Sequence, residues 1–149
     1  APGFFEGGRC VDGLCQIFDI APTIFELAGL PVPSAWETES LLPALRTGGT
    51  ASGDGNEFGR EYVFAEQSRD GNLKATEMMT MVRSRKWKLV HYLDDDDGEL
   101  DNLDNDPGEV RNLWNDPDVA ETKQKLIRVL LDWRIQSGLR TARRSEEWR

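Results

Sequence analysis

The spacing of apolar residues changes three times along this chain, and each change predicts a different kind of element. In DIAPTIFELAG (19–29), Ile20, Ile24, Leu27 and Ala28 recur at helical spacing, and Phe25 broadens the stripe. Asp19 is placed to cap the helix, and Pro22 is tolerable in a first turn whose N–H groups lack intrahelical partners. Gly29 suits the left-handed residue after a helix, and Pro31 blocks continuation. So short and apolar a helix is not stable alone in water and is expected to dock against a larger body. From 31 to 60 the periodicity lapses. SLLPAL (40–45) has room for one helical turn, and RTGGTASGDGNEFG (46–59) reads as an exposed loop.

From residue 61 the period becomes two. EYVFAE (61–66), MTMVRS (79–84), KWKLVHYL (86–93) and GELDNL (98–103) read as four short strands, the middle pair joined by a tight turn at Ser84–Arg85. In the third, Trp87, Leu89 and His91 share one face, and Lys88, Val90 and Tyr92 the other. The helical period then returns. Asp116 is the expected N-cap, Pro117 the first helical residue and Gly138 the stop. Val119, Lys123, Leu126, Ile127, Leu130, Leu131, Arg134 and Ile135 trace one side, widened by Trp133. The predicted class is α+β: a small four-stranded antiparallel sheet covered by a long C-terminal helix. Four regions are expected: 1–48 with the first helix, a flexible linker at 49–60, the sheet and helix at 61–138, and a charged tail at 139–149.

Composition narrows the function. A chain of 149 residues is one domain, or one domain with a strip of another. Mean hydropathy is −0.56; no apolar run approaches the roughly 18 residues of a membrane span, so no membrane partner is expected. The start, APGFFEGGRC, lacks Met and the pattern of a secretory leader, which suggests a processed chain or a fragment. Net charge is −9, with nine acidic and no basic residues in 94–109, whereas the last 27 residues are rich in Arg and Lys. Such a chain is not expected to bind nucleic acid. Cys10 and Cys15 do not have zinc-ribbon spacing; buried or half-buried thiols are expected, with a local disulfide as the alternative.

Several chemistries are weighed and set aside. An EF-hand loop in 94–109 fails where its geometry is strictest: from Asn102, position 6 is Pro107 and position 12 is Leu113. There is no Gly-x-Ser-x-Gly elbow and no phosphate-binding Gly loop. His91, mid-strand, reads first as a structural residue. The residues alone show no complete catalytic constellation.

The ordered series DIAPTIFELAGLPVP, SLLPAL, EYVFAE, MVRSRKWKLVHY and ELDNLDNDPGEVRNL, followed by an amphipathic helix, resembles the C-terminal part of sulfatases, sulfate-ester hydrolases with an alkaline-phosphatase-like core. The resemblance runs from Gly13 to about Trp133. Asp101-Asn102 departs from it, standing where the family usually has Tyr-Asp, at the cost of an aromatic anchor. It implies that the 19–29 helix is the last helix of the α/β core and that the strands and final helix form the smaller C-terminal subdomain. It also implies a formylglycine nucleophile, made from Cys or Ser in Cys/Ser-x-Pro-x-Arg, and a calcium-like divalent ion, both in an upstream core. Neither Cys10 nor Cys15 is followed by that motif, nor is any serine. This chain alone is therefore expected to be inactive, with no catalytic or metal-binding residue of its own. Its expected partners are the upstream core and, in the whole enzyme, an anionic sulfate ester that Arg69, Lys74 or His91 would meet. Homo-oligomerisation through an exposed 19–29 helix is also expected. The alternative is a free-standing, non-catalytic interaction domain of sulfatase-like ancestry. The particular ester and the cellular compartment stay open.

Overall fold

The computed structural model describes residues 11–47, 59–68 and 76–141. It divides into two compact units, 1–63 and 64–149. The charged region after Thr141, Arg69 and Lys74, most of the expected linker and Cys10 lie outside the described residues.

In the first unit a 3-10 turn, Ile17–Asp19, leads into α1, Ile20–Leu27. The helix ends as Gly29 requires. Gly29 has φ +69°; its N–H donates to Glu26 O (3.1 Å) and the Leu30 N–H to Phe25 O (2.8 Å), the two bonds of a Schellman motif. The expected capping role of Asp19 is corrected. Its side chain makes no cap bond to α1 and turns back to accept from Gln16 N–H at 2.8 Å. The expected stripe is corrected too: Ile20 and Ile24 are exposed within this chain, and Pro22 and Thr23 form the buried side of α1. A second helix, α2, Leu42–Thr47, contacts α1 and buries Leu42 and Ala44. Phe25 meets Trp36 edge-to-face. Cys15 is exposed, contrary to expectation.

The sheet has the order β1-β2-β3-β4, with β1 Val63–Ser68, β2 Met78–Arg83, β3 Trp87–Tyr92 and β4 Gly98–Asn102. β1 begins at the end of the first unit. β3 is antiparallel to both neighbours; Val82 pairs with Leu89, and Leu89 with Leu100. These three cross-strand partners are fully buried and form the centre of the core. Arg83 pairs with Lys88, so the tight turn centres on Arg85–Lys86, one residue later than expected, and Ser84 clasps Trp87 through both its N–H and its hydroxyl.

Asp116 caps the last helix as expected: its carboxylate accepts from Asp118 N–H at 3.0 Å, and a 3-10 turn, Pro117–Val119, precedes α3, Ala120–Thr141. Gly138 does not stop α3, which continues to Thr141. One helical glycine costs only about 1 kcal/mol, too little to end a helix whose apolar period goes on to Leu139. α3 packs on β2 and β3 through Leu126 and Leu130, and Trp133 stacks on Phe64 with centroids 4.5 Å apart.

Candidate functional site

Among the described residues, a cluster of charged side chains is built into each unit. The first centres on Asp19, only 1% exposed. Its carboxylate accepts from Gln16 N–H, from Glu39 N–H (2.9 Å) and from Arg60 Nη2 (2.7 Å). Four residues on, one helical turn later, the Thr23 hydroxyl donates to Asp19 O (2.7 Å) and accepts from Leu41 N–H (2.8 Å). The spacing of Asp19 and Thr23 thus puts a carboxylate and a hydroxyl on one side of α1, where together they tie down residues 39–41. Burial pushes the Asp19 carboxyl up, but the Arg60 guanidinium and the two backbone N–H donors outweigh it, and the group lies below the usual carboxylate value. Arg60 is aimed by its neighbour. Gly59 has φ +124°, and a Cβ there would come within 2.8 Å of the Gly13 and Leu14 backbone. Only glycine permits that approach, and Arg60 N–H then donates to Leu14 O.

The second cluster lies on the sheet. Lys88 on β3 pairs with Asp101 on β4 (3.0 Å), with Glu99 (3.8 Å) and with Glu109 in the loop that follows. Burial pulls the Lys88 ammonium down, but the carboxylates of Glu109 and Asp101 more than restore it, and its pKa is raised. Tyr92, on the same face, donates to Glu99 at 2.7 Å, and that bond with burial pushes the phenol up to about 12. Asp101, where an aromatic residue is usual in the resemblance, is 3% exposed. Its partner is the Lys88 ammonium.

Within the acidic stretch 94–109, Asp106 builds the next loop. Asp106 accepts from Val110 and Arg111 N–H at 2.8 Å each, which holds Glu109 in a left-handed conformation (φ 54°). The Asn112 side chain accepts from Leu100 N–H (3.0 Å) and donates to Gly98 O (2.8 Å), closing the free edge of β4 as a further strand would. Trp114 lies over Gly98, where a Cβ would meet its ring at 2.6 Å, and Lys123 of α3 donates to Trp114 O from above the ring.

Of the three candidate substrate contacts, only His91 is described. It is exposed on β3, paired with Thr80 and Gly98, on the face opposite Lys88. Arg69 and Lys74 lie outside the described residues. Among the described residues, no group of three His, Cys, Asp or Glu side chains is arranged to hold a metal ion. In each cluster one cation is shared among several carboxylates: Arg60 between Asp19 and Glu39, and Lys88 among Glu99, Asp101 and Glu109. Their chemistry is to hold loops in place. The sequence reading missed Arg60 and Lys88; the signals were an arginine after a glycine and a lysine between two core positions of a strand.

The profile of the family described as N-sulphoglucosamine sulphohydrolase, C-terminal, matches residues 1–136. The chain belongs to this sulfatase family. The sulfatase chain is 33% identical over 101 residues to a Δ4,5-hexuronate-2-O-sulfatase of Bacteroides thetaiotaomicron, over 66% of this chain and 20% of that protein. A protein solved with its substrate D-glucosamine-2-N,6-O-disulfate has the same fold, with TM-score 0.75 and 23% identity over 95% of this chain and 28% of its own. A phosphonate monoester hydrolase of Silicibacter pomeroyi matches with TM-score 0.74 and 25% identity, over 92% of this chain and 28% of its own. The sulfatase chain therefore spans about a fifth to just over a quarter of the proteins it matches. It is a C-terminal sulfatase region with an alkaline-phosphatase-like architecture.

Proposed function

We propose that this region completes an enzyme that hydrolyses sulfate esters of acidic or amino sugars. The observation that carries the reading is the family match over residues 1–136, joined to 33% identity with a hexuronate 2-O-sulfatase. The nucleophile, read as formylglycine, and the divalent ion belong to the part of the protein outside this chain. When bound there, they would supply the attack on sulfur and the neutralisation of its oxygens. The sulfatase region contributes a fixed frame: Asp19, Thr23 and Arg60 hold residues 37–41 and 59–60 against α1. Arg69, Lys74 and His91 are its proposed contacts with the anionic substrate. The apolar face of Ile17, Phe18, Ile20 and Ile24, exposed in this chain, is proposed to seat the upstream core.

The test is release of inorganic sulfate, followed by ion chromatography, when the full-length protein is incubated with a panel of sulfated uronic acid and glucosamine saccharides. Sulfate release that falls at least tenfold in a Lys74→Ala, Arg69→Ala or His91→Ala variant supports both the reaction and the contact. The likeness to a phosphonate monoester hydrolase favours a second reading. Hydrolysis of phosphonate monoesters with no sulfate release would establish it and overturn the first.

A further inference from the structure

Charge is segregated along β3. RSRKWK (83–88), which runs from the end of β2 through the tight turn into β3, holds four of the chain's 18 Lys and Arg residues and no acid. The turn after β3 is the reverse, with Asp94, Asp95, Asp96 and Asp97 in succession. Lys88 is taken up by Glu99, Asp101 and Glu109, whereas Arg83, Arg85 and Lys86 are exposed. Lys86 pairs loosely with Asp104, at 3.9 Å, and both side chains are more than half exposed. An exposed pair of that kind adds little stability and gives way to a better-placed anion. The same ammonium lies 5.9 Å from the centre of the Trp87 ring. We propose that this end of the β2–β3 hairpin is a binding surface for an anionic saccharide chain, whose sulfate or carboxylate groups are gripped by Arg83, Arg85 and Lys86. The inference deepens the proposed function and rests on it for the class of polymer.

The turn that carries these cations is held at three points. Ser84 N–H donates to Trp87 O (2.8 Å), Trp87 N–H donates to the Ser84 hydroxyl (2.9 Å), and Leu103 N–H donates to Lys86 O (2.8 Å). A backbone already fixed lowers the ordering cost of binding. The two guanidinium groups offer paired donors that match the oxygens of an oxyanion, and the ammonium adds a point charge. Charge also narrows the partner. A chain of net charge −9 repels a polyanion from most of its surface. The four aspartates lie at the far end of β3, about 20 Å away for six residues at about 3.3 Å each. A DNA duplex carries a charge every 1.7 Å or so and is stiff over far more than that length, so it would press against the aspartates as well. A single saccharide strand needs only the hairpin end.

The experiment measures binding of fluorescein-labelled heparin, a polymer of uronic acid and sulfated glucosamine, to the full-length protein by anisotropy, at about 50 mM and about 200 mM salt. Arg83→Gln, Arg85→Gln and Lys86→Gln are combined in one variant. Lys125→Gln with Arg128→Gln, two exposed cations of α3, serves as the reference, and circular dichroism follows folding. The expected result is at least tenfold weaker binding in the hairpin variant, with the dependence of log affinity on log salt shallower by about 2–3, and less than a twofold change in the reference. If the triple variant does not fold, Arg85→Gln alone is read in the same way, with a slope shallower by about 1. No loss in the hairpin variant, or an equal loss in the reference, would overturn the inference. A short DNA duplex that bound as tightly as heparin and lost as much in the hairpin variant would assign the surface to nucleic acid and overturn it equally. Binding needs no turnover. Sulfate release without heparin binding would therefore sink this inference alone, and heparin binding without sulfate release would sink only the proposed reaction.

Discussion

In the first unit the most deeply buried side chains include a carboxylate and a proline, Asp19 and Pro22; in the second they are Val82, Leu89 and Leu100. The first unit turns Ile17, Phe18, Ile20 and Ile24 outward, whereas the sheet gathers its aliphatic residues into one row. The difference shows what each region is for. A sheet covered by a helix buries enough apolar surface to hold itself together. A helix that spends its buried side on hydrogen bonds is organised by polar ties and leaves its apolar side for something else. The two units should therefore fail separately, for different reasons and at different pH.

The largest effect is expected at Asp19. Asp19→Asn leaves the half-buried Arg60 with only the exposed Glu39 carboxylate, 3.2 Å away, as counter-charge and weakens the ties to residues 16 and 39, a loss of about 3 kcal/mol. Hydrogen exchange should rise sharply across 14–46 and stay unchanged across 78–102. Equal loosening of both would mean that the Asp19 tie is not specific to the first unit. The pH dependence follows from the lowered Asp19 carboxyl. A carboxyl more acidic in the folded state contributes its full stabilisation above the unfolded value, 3.8, and loses it as pH falls through the folded value. The first unit should open in acid before the sheet does, and the Asp19→Asn substitution should flatten that acid limb.

These contrasting forces also explain what could be read from the sequence. Strand and helix positions in the second unit were legible because burial there follows side-chain period: Leu89 and Leu100 lie where alternation puts them, and Asp116-Pro117 starts α3 as local chemistry dictates. The orientation of α1 was not. Its apolar stripe, the side that period alone would bury, is exposed in this chain, and its interior side is set by Asp19 meeting Arg60, 41 residues away. No local period carries a tie of that length. The exposure of Ile127, Leu131, Ile135 and Leu139 was hidden for a related reason: the period marks an apolar stripe on α3 but not how much of it the sheet covers. For the candidate contacts, the strand pattern located His91 on β3, whereas no apolar period runs through the sequence around Arg69 and Lys74.

A smaller effect, confined to the second unit, is expected at Gly98. A Cβ there would come within 2.6 Å of both the Trp114 ring and Val90 O. The ring can move but the strand cannot, so Gly98→Ala should cost about 1–3 kcal/mol. Chemical denaturation followed by exchange in β3 and β4 would measure it; an unchanged midpoint would show that Trp114 is not fixed over the strand. Asn112→Ala removes both bonds that close the β4 edge and should cost about 1–3 kcal/mol through an unpaired Leu100 N–H. Exchange at Leu100 should accelerate, and the exposed edge should promote strand pairing between chains, detectable by light scattering.

The smallest effect sharpens the contrast from the alkaline side. Tyr92 is pushed up to about 12 by its bond to Glu99, and Lys88 is raised by Glu109 and Asp101 against the pull of burial. Both groups hold their protons more tightly in the folded state. Their stabilisation is complete below the unfolded values of 10.0 and 10.5 and drains as pH rises towards the folded ones, the opposite sign to Asp19. Tyr92→Phe removes one hydrogen bond and should cost about 1 kcal/mol at neutral pH. It should also remove the tyrosine component of the alkaline limb above pH 10, while Lys88 keeps the rest. A titration of stability from pH 9 to 12 on the two proteins separates the contributions. If the variant lost stability across that range as steeply as the parent, the Tyr92–Glu99 bond would not be the group responsible, and the alkaline limb would fall to the Lys88 cluster alone.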